Sequence, residues 1–214
     1  MLSFLPFARK ASSLSRIAVP NNKPVLILVV SIGNPETQYH GTRHSVGHMI
    51  LKNLCESQGF SQVKQLNGFK FKCNADKPDV LLYQTPGFMN LSGKNLAKPW
   101  KAILAQPQWN PVLVVLHDEL DLDLGKVRVR KQNSSARGHN GLRSIQQHIG
   151  RGYNAIQIGI GRDSSSQKDP DSVSKYVLSK FSAQEVEQLH QHVVPRVAAI
   201  IEEMRQHKHI FETL

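Results

Sequence analysis

The sequence predicts an α/β fold, a single domain with a mixed, mainly parallel central sheet flanked by helices. Three observations lead there. Two continuous apolar runs, Val25–Ser31 and Pro111–Leu116, have the length and the Val/Leu content of strands covered on both faces. Segments with apolar residues at helical spacing separate and follow them, so strand and helix alternate along the chain. A chain of 214 residues, 40% of them hydrophobic, can bury one sizeable core and is short for two.

Taken in order, residues 1–22 stand apart. Glu36 is the first acidic residue, whereas Arg9, Lys10, Arg16 and Lys23 precede it among several serines. Arg-containing, Ser-rich and acid-free is the composition of a mitochondrial transit peptide. A mitochondrial location is therefore the expectation, with a basic, disordered tail on a cytoplasmic protein as the alternative. In either case the folded domain is expected over 23–214.

Val25–Ser31 ends at Gly33-Asn34-Pro35, a turn that places Asn34 at a strand end. Val46, Met49, Ile50 and Leu54 then recur at helical spacing up to Gly59, which predicts a helix over 45–58 with His44 at its start. Residues 69–73 and 80–84 read as strands, and residues 91–104 as a helix that Pro99 kinks or breaks early. The second apolar run ends at His117-Asp118-Glu119. Basic and apolar residues alternate over 126–130, which puts Arg128 and Arg130 on one face of a strand. Leu142, Ile145 and Ile149 define a short helix closed by Gly150; residues 155–160 form a further strand and 164–171 a loop. Ser182 and Glu185 have capping-box spacing at the start of a helical tail that Pro195 divides.

Composition limits the partners. Against 16 Asp+Glu stand 27 Lys+Arg, a formal charge of +11 that favours a polyanion, nucleic acid ahead of an anionic membrane. The charge is uneven. Residues 124–162 contain no acid, while Lys126, Arg128, Arg130, Lys131, Arg137, Arg143, Arg151 and Arg162 all fall there, which suggests a binding face. No apolar run approaches the roughly 20 residues of a membrane span, so no membrane insertion is expected. Cys55 and Cys73 have neither the number nor the spacing of a disulfide framework or a structural zinc site.

Several polar clusters follow or interrupt apolar elements, and in α/β sheets ligands collect at the carboxyl ends of strands, where Asn34 and Asp118 fall. The clusters contain one good proton-accepting pair, His44 with Asp118, and three amides, Asn34, Asn90 and Asn140. A carboxylate bonded to one imidazole nitrogen fixes the tautomer and raises the basicity of the other, which can then deprotonate water. Neutral amides can donate to a developing oxyanion. No G-x-S-x-G elbow offers a serine nucleophile. A metallohydrolase on His117, Asp118, Glu119 and Asp121 is disfavoured, because neighbours on an extended segment point to opposite faces.

Gly33-Asn34-Pro35, Tyr39-x-x-Thr42-Arg43-His44, Phe88-Met89-Asn90-Leu91-Ser92-Gly93, His117-Asp118-Glu119-Leu120-Asp121 and Gly138-His139-Asn140-Gly141-Leu142 occur in this order. Together they closely resemble the bacterial-type peptidyl-tRNA hydrolase family, from about Val25 to near the C-terminus. The resemblance implies a compact α/β enzyme that hydrolyses the ester between a peptide and tRNA. It implies His44 as catalytic base and Asp118 as its orienting partner. Asn34, Asn90 and Asn140 would hold substrate and water, and Tyr39 and Met89 would shape the cleft. No metal or other cofactor is implied. The expected partner is peptidyl-tRNA and the expected state a monomer, with transient ribosome association left open.

Three departures accompany the resemblance. Ser45 stands where the family typically has asparagine, and suits a helix N-cap. Residues 132–136 replace a glycine-rich loop, and Gln157 occupies a position where a basic clamp on the tRNA 5′ phosphate is expected. Arg128, Arg130 or Arg162 would take over that contact. A non-catalytic RNA-binding protein on the same fold is the rival reading; retention of His44, Asp118 and the three asparagines favours catalysis.

Overall fold

The computed structural model describes residues 23–162 and 169–206. The transit-peptide expectation for residues 1–22 lies outside them, as does most of the loop expected over 164–171. β1 (Val25–Ser31) is buried along its whole length, with Val25, Ile27 and Val29 facing one layer and Leu26, Leu28 and Val30 the other. A strand apolar on both faces belongs inside a covered sheet. The chain leaves it through α1 (Glu36–Tyr39) and a 3-10 turn, Arg43–Ser45, into α2 (Val46–Ser57). A hairpin of β2 (Gln62–Leu66) and β3 (Phe69–Asn74) precedes β4 (Lys77–Gln84). A second 3-10 turn, Met89–Leu91, opens α3 (Ser92–Leu104), after which the chain returns as β5 (Asn110–Glu119). Then come β6 (Val127–Arg130), α4 (Asn140–His148), β7 (Asn154–Gly159), α5 (Pro170–Val177), α6 (Ala183–Gln188) and α7 (Val194–Arg205).

The strands form one sheet in the order β2-β3-β4-β1-β5-β7-β6. The interior pairings β4–β1, β1–β5 and β5–β7 are parallel, and β2–β3, β3–β4 and β6–β7 are antiparallel. The parallel character therefore belongs to the centre of the sheet, and both edges are antiparallel. Val46, Ile50 and Leu54 of α2 and Val197, Ile200 and Met204 of α7 pack on one face. Leu96, Trp100 and Ile103 of α3 with Leu142 and Ile145 of α4 pack on the other. Burying each such side chain contributes about 1.5–3 kcal/mol, which outweighs local irregularities. Because β1 leads to the first layer and β4 to the second, the connections diverge and leave a crevice at the carboxyl ends of the central strands.

The structure departs from the sequence reading in three places, and bears out the division of the tail near Pro195. β2 was not expected. Its residues are largely exposed, so no apolar pattern marks it, although Asn67-Gly68, with φ of 46° and 83°, is a two-residue hairpin turn of the I′ kind. Helix α5 was also missed. Asp169 caps it by accepting from the amides of Asp171 and Ser172, and Pro170 stands in its first turn. Pro99 does not break α3; the helix forgoes one backbone bond there while Leu96, Trp100 and Ile103 stay buried. Pro195 lies in the first turn of α7, directly after a π-helical turn at Leu189–Val193, so the tail is divided by a change of winding. The capping box of Ser182 and Glu185 is present.

Candidate active site

A cleft of about 630 Å³ opens at the carboxyl ends of the central strands. Among the site residues expected from sequence, Asn34, His44, Met89, Asn90, Asp118, Arg130 and Asn140 line it. Tyr39 and Arg128 do not. Tyr39 packs edge-on against Phe88, a lining residue, at 6.4 Å between ring centroids, and so backs the wall rather than forming it. Arg128 is exposed on the same strand face as Arg130 but lies outside the cleft.

His44 sits in the 3-10 turn between β1 and α2, and its neighbour Arg43 holds that turn in place. The Arg43 guanidinium is nearly buried, donates to both carboxylate oxygens of Glu185 at 2.8 and 3.0 Å, and lies over the rings of Tyr176 and Phe181 at 4.7 and 4.8 Å. The Arg43 amide donates to the Ser179 carbonyl at 2.9 Å. Both bonds come from Nη2, and this charge-assisted contact together with the two ring contacts holds the guanidinium in a partly dry setting. From this turn, His44 Nδ1 donates to Asp118 at 2.9 Å from each carboxylate oxygen. Nε2 has no partner among the described residues. Burial alone would lower the His44 pKa, but the charge and hydrogen bond of Asp118 outweigh it, and the net shift is upward from 6.5.

Asp118 stands near the end of β5, and two other histidines complete its surroundings. His139 accepts the Leu142 amide on Nδ1 at 3.3 Å as the N-cap of α4, so its Nε2 carries the hydrogen and donates to Asp118 Oδ1 at 2.9 Å. Burial would raise the Asp118 pKa, but the His44 and His139 rings hold it far below the ordinary carboxylate range. His117 donates through Nδ1 to the Asp118 carbonyl at 2.7 Å and packs edge-on against His139 at 5.1 Å between centroids. Burial, aided by His139, pushes its pKa down to about 3, so this ring stays neutral. No role for His139 follows from its place in the Gly138-His139-Asn140-Gly141-Leu142 motif. Its reach to a strand 21 residues earlier has no signature in local sequence.

The asparagines come from three connections. Asn34 accepts the Met89 amide on Oδ1 at 2.9 Å, which leaves its NH2 as the end available to the cleft. Its backbone amide donates to Ser45 Oγ at 3.1 Å. Ser45 therefore does not cap α2, as expected from its position; its hydroxyl is spent on holding the Asn34 turn. Asn90 and Asn140 are exposed at the starts of α3 and α4. Gly141 lets Met89 close over the α4 terminus, since a Cβ there would lie 2.4 Å from the Met89 sulfur.

The basic residues divide. Arg130 lines the cleft and donates to the Ser135 carbonyl at 3.4 Å. Arg162 pairs with Asp121 at 2.7 Å, which partly neutralises it as a phosphate ligand. Gln157 is buried and donates to Glu119, so it has no access to a surface phosphate. Residues 132–136 are tied down: Gln146 of α4 donates to the Ser134 carbonyl at 2.9 Å, and Ala136 packs against the second core. The four residues of the metallohydrolase reading do not converge, because His117 bonds a carbonyl, Glu119 accepts from Gln157 and Asp121 faces Arg162. His44, Asp118 and His139 offer ligand atoms within 4.8 Å of one another, but two nitrogen-bound hydrogens already point at the carboxylate.

Comparison with known proteins bears on this arrangement. The family described as peptidyl-tRNA hydrolase matches residues 28–213. A peptidyl-tRNA hydrolase of Paracoccus denitrificans is 40% identical over 159 residues, which cover 74% of this chain and 64% of the relative. One of Saccharomyces cerevisiae is 38% identical over 171 residues, covering 76% of this chain and 88% of that protein. The chain thus spans just under two thirds of the length of the bacterial relatives reported first, and more of the yeast one. The crystal structure of peptidyl-tRNA hydrolase from Acinetobacter baumannii superimposes with a TM-score of 0.64 at 28% identity, over 85% of this chain and 92% of that one. With a family match across most of its length, relatives well above 30% identity and the same fold, the chain belongs to the peptidyl-tRNA hydrolase family.

Proposed function

We propose that this protein hydrolyses the ester between a peptide, or an N-blocked aminoacyl group, and tRNA, and so recycles tRNA from prematurely released peptidyl-tRNA. The observation that carries the reading is His44, fixed by Asp118 with Nε2 left facing the cleft. Nε2 takes a proton from water as the oxygen attacks the ester carbonyl. The NH2 of Asn34, with Asn90 and Asn140, donates to the developing oxyanion and to the substrate. The tetrahedral intermediate then expels the ribose oxygen, which receives the proton from His44. Asp118 stays ionised and stabilises the imidazolium between these steps. Incubation with N-acetyl-aminoacyl-tRNA, scored for free tRNA, tests the reading; absence of turnover refutes it.

The same reading extends to RNA binding and address. Arg130, which lines the cleft, and Arg128 on the same strand face pair with tRNA phosphates, a role supported by the bidentate match of guanidinium to phosphate. Changing both to Ala is expected to raise KM strongly and kcat little, as when uniform binding is removed. The composition of residues 1–22 supports a mitochondrial location, and fusion of that segment to a reporter tests it.

A further inference from the structure

Ser31 and His48 form a hydrogen-bonded polar pair inside an otherwise apolar layer. Ser31 ends β1 and His48 lies in the first turn of α2; they are 0% and 2% exposed. Ser31 Oγ and His48 Nδ1 are 2.8 Å apart. Val29, Val46, Ile50 and Leu116 belong to the same layer. Burial pushes the His48 pKa down to about 4, so the ring is neutral and keeps one donor and one acceptor for such a contact. Apolar groups of the same shape would fill this space with little difference in stability, so packing does not require the pair. What a satisfied buried polar contact adds is a fixed orientation.

That orientation matters because of what the ring touches. A Cβ on Gly33 would lie 2.5 Å from His48 Cδ2 and 2.7 Å from Nε2, so the edge of the imidazole is pressed against the turn that carries Asn34. The helix that bears the ring is itself seated on the sheet, since a Cβ on Gly47 would meet the carbonyl oxygens of Leu116 and Ile32 at 2.6 and 2.9 Å. His44 stands four residues before His48, in the turn that runs into this helix. The Ser31 carbonyl accepts from the amide and the hydroxyl of Thr85, at 3.1 and 3.0 Å, which ties the end of β4 to the same point. Helix start, ring and Asn34 turn therefore form one stack, and none of Ser31, Gly33 and His48 lines the cleft.

We propose that His48, oriented by Ser31, is a positioning residue: its ring is the spacer that sets where Asn34 stands relative to His44. The chemistry it serves is the ester hydrolysis proposed above, on which this inference rests. The Asn34 NH2 must meet the developing oxyanion while Nε2 of His44 takes the proton, and a displacement of about 1 Å between groups that act together is enough to cost roughly a hundredfold in rate. Without the Ser31 hydroxyl the ring is free to turn, and the Asn34 turn loses its support.

Two variants test this. Ser31→Ala keeps the ring and removes its anchor, and His48→Phe keeps an aromatic ring without the nitrogen. Ile50→Val, in the same helix and layer, is the control for lost packing. For each, kcat, KM and urea unfolding are measured, together with the side-chain amide NMR signal of Asn34, identified by its absence in Asn34→Asp. Ser31→Ala and His48→Phe are expected to lower kcat roughly tenfold to a hundredfold with KM little changed, and to move the Asn34 signal. The double variant should lose no more than the stronger single one, as two parts of one unit do. Ile50→Val should lose stability and keep the wild-type kcat and signal. A Ser31→Ala protein with wild-type kcat and an unmoved Asn34 signal overturns the proposal. So do losses that appear in KM alone, that Ile50→Val reproduces, or that add in the double variant. If the wild-type protein itself releases no tRNA from its ester, the Asn34 signal still reads the positioning, and the hydrolase reading alone falls.

Discussion

His44 Nδ1 lies 2.9 Å from each carboxylate oxygen of Asp118 and donates to them, so the carboxylate both selects the tautomer and raises the basicity of Nε2. His44 must be neutral to accept a proton. With its pKa raised, the rate should climb with pH along a limb that lies above 6.5. Asp118→Asn leaves burial as the main influence, which lowers the pKa, so the limb should move below 6.5 and the plateau should fall by roughly 100 to 10,000-fold. A kcat–pH profile checks both, and an unmoved limb contradicts this role for Asp118. Stability follows the carboxylate too. The lowered Asp118 pKa contributes stability that is present above the ordinary carboxylate range and lost as pH falls, so Asp118→Asn should weaken the acid dependence of unfolding.

His139 serves the helix and the carboxylate at once, and two substitutions separate these uses. His139→Ala removes the acceptor for the Leu142 amide and should cost about 0.5–2 kcal/mol, the worth of an N-cap. His139→Asn keeps a capping acceptor while withdrawing the imidazole from Asp118, so it should retain stability and lose turnover. Thermal unfolding and kcat measured on both variants decide. If Asn restores activity along with stability, His139 is only a cap.

Much of the fold was legible because burial writes itself into periodicity. Val25–Ser31 reads as a two-sided strand since every residue is apolar or small, and the 142, 145 and 149 spacing marks α4 for the same reason. β2 and α5 were not legible in this way, because neither buries a continuous face; their signals were the turn Asn67-Gly68 and the cap Asp169-Pro170. At the site, the residues that lie in motifs could be named in advance, but not what each one touches. Ser45 suggested a cap and instead holds Asn34, and Arg43 gave no hint of Glu185, which is 142 positions away. Arg128 and Arg130 share a strand face as alternation requires, yet only Arg130 reaches the cleft, since its boundary is set by the loop after β6.

At Gly93 the backbones of α3 and α4 come into contact, and these helices carry Asn140 at the start of α4 and Asn90 in the turn before α3. Gly93→Ala places a methyl 2.0 Å from the Ser144 carbonyl oxygen, a backbone atom that cannot swing aside. Overpacking of this kind costs about 1–3 kcal/mol. Urea unfolding should show a lower midpoint with an unchanged slope, and KM should rise as the two asparagines move apart. A variant as stable as wild type would show that the helices have more freedom here than their spacing indicates.

The central claim is that His44 is the base that activates water for ester hydrolysis. Single-turnover release of tRNA from N-acetyl-aminoacyl-tRNA, compared between wild type and His44→Ala at matched tRNA binding, tests it most directly. The expected result is a loss of roughly 100 to 10,000-fold in rate with affinity for tRNA little changed. A His44→Ala protein that releases tRNA at close to the wild-type rate would contradict the account.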